Sequence, residues 1–198
     1  MVTAPYPMAR LRRMKRTDGL RRMVREVTLT VDDLIWPIFL MEGEDAEDPI
    51  PSMPGVARLT IDRAVKAARE ARELGIPALC LFPYIDTSLK TEDCAEAWSD
   101  DNLSNRATRA IKEAVPEIVV MTDVALDPYN ILGQDGIVRD GVIVNDESVA
   151  ALVKMALSQA RAGADILGPS DMMDGRIGAI RAALEEAGFE GVAIMSYA

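Results

Sequence analysis

Polar residues that could do chemistry stand at the ends of two apolar segments of the chain. Asp123 lies in the second half of the apolar segment 118–126, and Ser170 and Asp171 directly follow the segment 164–169. Because the carboxyl ends of parallel strands converge on one face of α/β proteins, residues in these positions are typical of a site. An unpaired carboxylate among apolar neighbours is costly. We therefore expect functional roles for Asp123 and Asp171, supported by Ser170.

Further carboxylates follow Asp123 in the next loop, namely Asp127, Asp135 and Asp140. Carboxylates gathered at one edge could bind a hard cation such as Mg²⁺ or orient an amine substrate. The alternative is that an aspartate merely caps a helix or turn. We favour this alternative for Asp174, before Gly175, and for Asp146.

The elements that must position these residues alternate between strands and helices. This alternation predicts βαβ units and a parallel sheet. Strands are predicted at 34–40, 78–83, within 118–126, 165–169 and 192–197, with a short edge strand at 27–31; helices are predicted at 60–74, 105–114, 146–162 and 176–187. A complete (β/α)₈ barrel takes about 250 residues, and this chain has room for about four and a half units. We predict an incomplete (β/α)₈ TIM barrel, with a flavodoxin-like sheet as the alternative.

Charge divides the chain at residue 26. Residues 1–26 hold eight basic and two acidic side chains, a net charge of +6, whereas the whole chain carries −10. We expect a basic N-terminal arm at 1–26 and the partial barrel at 27–198. An acidic body would repel nucleic acid, so docking of the arm on a neighbouring subunit is preferred. A solvated tail remains the alternative.

Other bulk features narrow the class of protein. No apolar stretch approaches the ~20 residues of a membrane span, and no secretory signal is present, so a cytoplasmic protein without a membrane partner is expected. The chain has no histidine, and Cys80 and Cys94 form no metal-binding pattern. Cys80 lies in an apolar segment and is predicted to be a reduced core thiol.

Four segments, in this order, carry a resemblance to a known family: 121–129, 133–136, 169–181 and 195–198. They resemble porphobilinogen synthase, also called 5-aminolaevulinate dehydratase. The resemblance implies a (β/α)₈ barrel whose N-terminal arm wraps a neighbouring subunit, commonly in an octamer. It also implies condensation of two 5-aminolaevulinate molecules to porphobilinogen, the pyrrole precursor of tetrapyrroles such as haem.

The family's catalysis uses two lysines at strand ends, which form Schiff bases with the substrate ketones. The first would stand just beyond Ala198, and neither is present among these 198 residues. The lysines that do occur lie in the arm, in predicted helices or in a polar loop: Lys15, Lys66, Lys90, Lys112 and Lys154. We therefore expect the chain alone to be inactive.

The resemblance also bears on metal binding. Zinc-dependent relatives carry three cysteines where this chain has Ala125, Asp127 and Asp135. Two carboxylates and an alanine do not suit Zn²⁺, so Mg²⁺ at Asp127 and Asp135, or no metal, is expected. Leu132 also replaces a histidine that relatives commonly carry before Gly133.

Two functional hypotheses follow. The first is that the chain is the N-terminal portion of a porphobilinogen synthase, a lyase when intact. The second is a naturally short, noncatalytic paralogue that assembles with or regulates a complete enzyme. An unrelated aldolase-like barrel explains none of the four segments.

Overall fold

The N-terminal unit is small and lacks fully buried side chains among its described residues. The computed structural model describes residues 4–197 and divides the chain into two compact units after Asp33. The first unit contains a 3₁₀ turn, Leu11–Lys15, and helix α1, Asp18–Met23, whose N-cap Thr17 accepts a hydrogen bond from the Leu20 amide at 3.2 Å. Within residues 4–33, no side chain is fully buried.

The edge strand predicted at 27–31 is wrong. Val31–Asp33 forms a 3₁₀ turn, and the residues before it have no regular structure. The Asp33 carboxylate accepts hydrogen bonds from both the backbone N–H and the hydroxyl of Thr30, at 2.7 and 3.1 Å. Such local side-chain bonds offer the backbone an alternative to a strand ladder.

The second unit is a sheet with helices packed against one face. The strands are β1 Ile35–Leu40, β2 Glu47–Pro49, β3 Ala57–Leu59, β4 Ala78–Pro83, β5 Val119–Val124, β6 Val138–Arg139, β7 Val142–Ile143, β8 Ile166–Pro169 and β9 Ala193–Ile194. Among the described residues, seven of them form one sheet in the order β2-β3-β1-β4-β5-β8-β9, and a separate hairpin pairs β6 with β7. The helices are α2 Ile61–Glu73, α3 Leu103–Ala114, α4 Asn145–Ala162 and α5 Arg176–Glu186.

The strand order confirms the partial barrel. Strands β1, β4, β5, β8 and β9 are neighbours in chain order and pair in parallel throughout. A doubly wound sheet reverses its strand order at a switch point, whereas a barrel adds each new strand to the same side. The chain therefore forms four βα units and a fifth strand of a (β/α)₈ barrel.

The two faces of the sheet differ, because successive residues of a strand point to opposite sides. On what we call the outer face, Leu79, Leu81, Val120 and Leu167 are fully buried in one core with the helices. Alanines supply most of the α2 contribution to this core, namely Ala64, Ala67, Ala68 and Ala71. On the inner face, which carries Cys80, Phe82 and Met121, the sheet borders a cavity of about 330 Å³.

Two helix starts differ from the sequence predictions. Helix α3 begins two residues earlier than predicted, because the Asn102 side chain accepts a hydrogen bond from the Asn105 amide at 2.9 Å. Helix α5 has Gly175, at φ +81°, as its N-cap, without any capping side chain. The capping role predicted for Asp174 is thus wrong, and its backbone N–H instead donates to Asn145 Oδ1.

Three smaller predictions are also corrected. Asp146 lies inside the first turn of α4 and does not cap it. The segment predicted as a loop at 42–54 contains β2, which pairs antiparallel with β3. The fifth barrel strand is shorter than the predicted 192–197, because only β9 has strand geometry.

Candidate active site

Asp123 and Ser170 meet at the carboxyl ends of two neighbouring strands. In the parallel pair β5 and β8, Asp123 stands opposite Gly168 and Val124 opposite Pro169. The Ser170 hydroxyl, directly after β8, donates a hydrogen bond to Asp123 Oδ1 at 2.6 Å. The fold thus joins two predicted site residues that lie 47 positions apart in the chain.

Burial gives the Asp123 carboxyl an unusual proton affinity. Its side chain is only 9% exposed, and burial raises its pKa to about 6. The hydrogen bond from Ser170 lowers the pKa, while the negative charges of Asp127, Asp135 and Asp171 raise it further. A carboxyl with a pKa near neutrality can both take up and release a proton at physiological pH, as general acid–base catalysis requires.

Asp171 is buried but faces its own loop. Its Oδ1 accepts a hydrogen bond from the Met173 amide at 2.8 Å, which shapes the turn between β8 and α5. Arg176 Nε lies 3.0 Å from Asp171 Oδ2, an ion pair without hydrogen-bond geometry. Burial raises the pKa of Asp171, and the Arg176 charge opposes that rise. Arg176 was not among the predicted site residues, although it begins the helix that follows Asp171.

Asp127 and Asp135 lie in the loop that follows β5. Asp135 Oδ1 accepts a hydrogen bond from the Leu126 amide at 3.4 Å, so Asp135 folds back toward the strand end. Burial raises the pKa of both carboxyls. The charge of Asp171 adds to the rise at Asp135, and the Lys90 cation opposes the rise at Asp127. Both carboxyls therefore contribute negative potential at the same edge as Asp123.

The donor set at this edge does not fit Zn²⁺. Across residues 4–197, no group of three or more His, Cys, Asp or Glu side chains is arranged to hold a metal ion. A zinc site needs three or four protein ligands, usually nitrogen or sulfur, and Ala125 offers none.

The cavity on the inner face was not predicted from the sequence. Burial raises the pKa of the Cys80 thiol to about 12, and that of the Tyr197 hydroxyl, which contacts it, also to about 12. Both residues line the cavity and also feel the charge of Asp123, which raises their pKa values further. Cys80 is free and buried, as predicted. The alternation of side chains between the two faces of β4 was the sequence signal that could have indicated this inner face. The cavity is lined by Ile35, Pro37, Cys80, Phe82, Met121, Met195, Ser196 and Tyr197.

None of the chain's lysines, all of which the structure describes, lines this cavity. Lys66 pairs with Asp45, and Lys112 pairs with Asp165. Lys154 lies over the Trp98 ring. Lys90 also does not line the cavity, and its charge acts on Asp127.

Comparison with known proteins identifies the family to which this site belongs. A sequence model of the family described as "Delta-aminolevulinic acid dehydratase" matches residues 8–198. The chain belongs to this family. A delta-aminolevulinic acid dehydratase of Rhodobacter capsulatus is 57% identical over 198 residues, which cover 100% of this chain and 60% of the relative. One of Bradyrhizobium diazoefficiens is 54% identical and is covered to 54%.

A solved member of the delta-aminolevulinic acid dehydratase family has the same fold. The Toxoplasma gondii enzyme, in complex with the reaction product porphobilinogen, superposes with a TM-score of 0.91 at 44% identity. The match covers 96% of this chain and 54% of that one. The chain thus spans between half and two thirds of the length of these relatives. No helix within residues 4–197 is long and apolar enough to cross a membrane.

Proposed function

We propose that this chain is the N-terminal portion of a porphobilinogen synthase, a lyase that condenses two 5-aminolaevulinate molecules to porphobilinogen in tetrapyrrole synthesis. Family membership supports the reaction class. The observation that carries the proposal is the hydrogen-bonded Asp123–Ser170 pair at the carboxyl ends of two barrel strands, where burial raises the pKa of Asp123.

The carboxylates give this edge a role in substrate binding. Each 5-aminolaevulinate carries an ammonium group, and negative potential at a barrel mouth attracts and orients cations. Asp123 can then accept a proton from the substrate amine and return it, with Ser170 holding the carboxyl in place. Asp171 supports the site through the turn that it forms with Met173.

The missing component is a nucleophilic amine. A Schiff base forms when an unprotonated lysine attacks a ketone and water leaves, which requires a desolvated lysine beside the substrate. None of the five lysines of this chain lines the cavity, although the charge of Lys90 acts on Asp127 at the same edge. In this proposal the chain contributes one wall of the site, and the remaining strands of the family's barrel contribute the nucleophiles.

The test is to supply those strands. The part of the Rhodobacter capsulatus relative that this chain does not cover is joined after Ala198, and porphobilinogen formation from 5-aminolaevulinate is measured. We expect product from the chimera and none from the 198-residue chain. Asp123→Asn in the chimera should lower kcat by at least about 100-fold, as expected for loss of a general acid–base. A folded chimera without product would overturn the proposal.

Metal dependence and assembly complete the proposal. We expect Asp127 and Asp135 to hold Mg²⁺, or the reaction to proceed without metal, so zinc should not increase product formation by the chimera. We also propose that the basic residues 1–26 dock on an acidic neighbouring subunit, as in an octamer. Sedimentation of the chimera with and without these residues tests this, and an unchanged number of subunits per particle would contradict it.

A second candidate is a noncatalytic partner that assembles with or regulates a complete enzyme, favoured by the basic residues 1–26, which could dock on it. It predicts that the 198-residue chain co-sediments with the intact Rhodobacter capsulatus relative and changes its rate. Separate sedimentation with an unchanged rate would remove this candidate.

A further inference from the structure

Behind Asp123, a buried glutamine of helix α4 bonds to the end of strand β5. Gln159 Nε2 donates to the backbone carbonyl of Asp123 at 2.8 Å, and Gln159 Oε1 accepts from the Thr122 hydroxyl at 3.0 Å. Gln159 and Thr122 are both almost fully buried. One amide group therefore holds two consecutive residues of the strand.

These bonds act on the orientation of the Asp123 side chain. Thr122 and Asp123 point to opposite faces of the sheet, because strand side chains alternate. Gln159 reaches the outer face, fixes the Thr122 side chain and also fixes the peptide carbonyl of Asp123. A peptide held on that side cannot rotate freely, so the Asp123 carboxyl is kept toward Ser170 on the inner face.

The chemistry of Gln159 also argues against a packing role alone. The other large buried side chains of α4 are apolar, namely Leu152 and Met155. Burying a primary amide costs free energy unless its polar atoms are paired, and an apolar residue would fill the space without that cost. Both polar atoms of Gln159 are paired, and both pairs are with the end of β5.

We propose that Gln159, together with Thr122, is a positioning residue that sets the geometry of the Asp123–Ser170 pair. The proposal rests on the proposed function only in taking Asp123 as the group that acts. Its test needs no product formation, so its failure is distinguishable from failure of the chimera.

The test is a ¹³C NMR titration of the Asp123 carboxyl in the 198-residue chain. Gln159→Leu removes both bonds, and Thr122→Val removes one while keeping the shape of the side chain. Ser158→Ala is the matched control, because Ser158 is the neighbouring buried residue of α4 and bonds to Asn105 rather than to β5. Thr122→Ser keeps the hydroxyl and should restore the original behaviour. The other groups near Asp123 stay unchanged in all four variants: Cys80, Asp127, Asp135, Asp171 and Tyr197.

We expect the pKa of Asp123 to rise in Gln159→Leu by at least about 0.5 unit. A hydrogen bond to a carboxylate lowers its pKa by roughly one to two units, and a displaced strand end loses part of that effect. Thr122→Val should shift the pKa in the same direction by less. Ser158→Ala and Thr122→Ser should leave it within about 0.2 unit.

Two results would overturn the proposal. The first is loss of thermal stability in Gln159→Leu and Thr122→Val with an unchanged pKa of Asp123, which would make the bonds purely structural. The second is an equal shift in Ser158→Ala, which would show that any damage to α4 has the same effect. If Gln159→Leu does not fold, the pKa of Asp123 in Thr122→Val is compared with that in Thr122→Ser, and this comparison alone decides the question.

Discussion

The two faces of the sheet are built from alternate residues of the same strands, yet they do different work. On the outer face, Leu79 and Leu81 are fully buried against the helices. On the inner face, Cys80 and Phe82 border a cavity, and Asp123 follows the same pattern on β5. The comparison shows how a two-residue period lets one strand stabilise the fold and position a chemical group at once.

The faces also differ in the free-energy change that accompanies burial of their side chains. Burial of leucine on the outer face is favourable. Burial of the Asp123 carboxyl on the inner side is unfavourable when it is charged, as its raised pKa shows. Such local cost is typical of functional sites and is offset by the rest of the core.

The largest expected effect compares a truncation on each face. Leu81→Ala should lower the free energy of unfolding by about 2–5 kcal/mol, because it opens a cavity in a closed core. Ile35→Ala removes the same number of carbon atoms beside the existing inner cavity and should cost less than half as much. Urea unfolding of both variants measures this, and equal losses would break the distinction between the faces.

The next effect concerns the charge of Asp123. Its pKa is near 3.8 when unfolded and about 6 when folded, so the folded state binds the proton more tightly. Stability from this group is therefore full below pH 4 and is lost as the pH rises through 6. At about 1.4 kcal/mol per unit, the loss is about 3 kcal/mol as an upper bound.

Asp123→Asn removes that charge and gives the experiment. Relative to the unmodified chain, the variant should gain stability between pH 4 and pH 8 by up to about 3 kcal/mol. Ser170→Ala, which keeps the carboxyl, serves as the control and should not gain. A stability difference independent of pH would mean that Asp123 titrates as an ordinary exposed carboxyl.

The smallest expected effect on stability tests how loosely the inner face is packed around Gly168. A Cβ on Gly168 would lie 2.3 Å from Met121 Cε and 3.3 Å from the Tyr197 ring. The end of the methionine is flexible and borders the cavity, so Gly168→Ala should cost less than about 1 kcal/mol in unfolding free energy. A loss of several kcal/mol would show that the inner face is as tightly packed as the outer one.

The sequence predicted the outer face better than the inner one. Strand β4 was predicted with its observed bounds, and the end of α4 at Gly163 follows from its left-handed backbone, at φ +99°. Asp123 and Ser170 were predicted to lie at the same edge of the sheet, because parallel strands bring their carboxyl ends together, but the hydrogen bond between them was not predicted. The hydrophobic period of a helix or strand, and the residues at its two ends, are local properties, so they can be recognised in a single sequence.

What escaped prediction depends on distant contacts. The hairpin of β6 and β7 uses strands of two residues, too short to show a period. The bonds of Gln159 to β5 join residues 36 and 37 positions apart, and no sequence spacing signals them. The sequence predicts Asp171 as a strand-end carboxylate and names no partner for it, whereas in the structure Arg176 lies beside it.

The central claim is that the inner face holds a carboxyl whose proton affinity is set by burial at the barrel mouth. The direct measurement is the ¹³C titration of Asp123 in the unmodified chain. We predict a midpoint of about 6, above the value of 3.8 that is usual for an aspartate. A midpoint near 4 would contradict the claim.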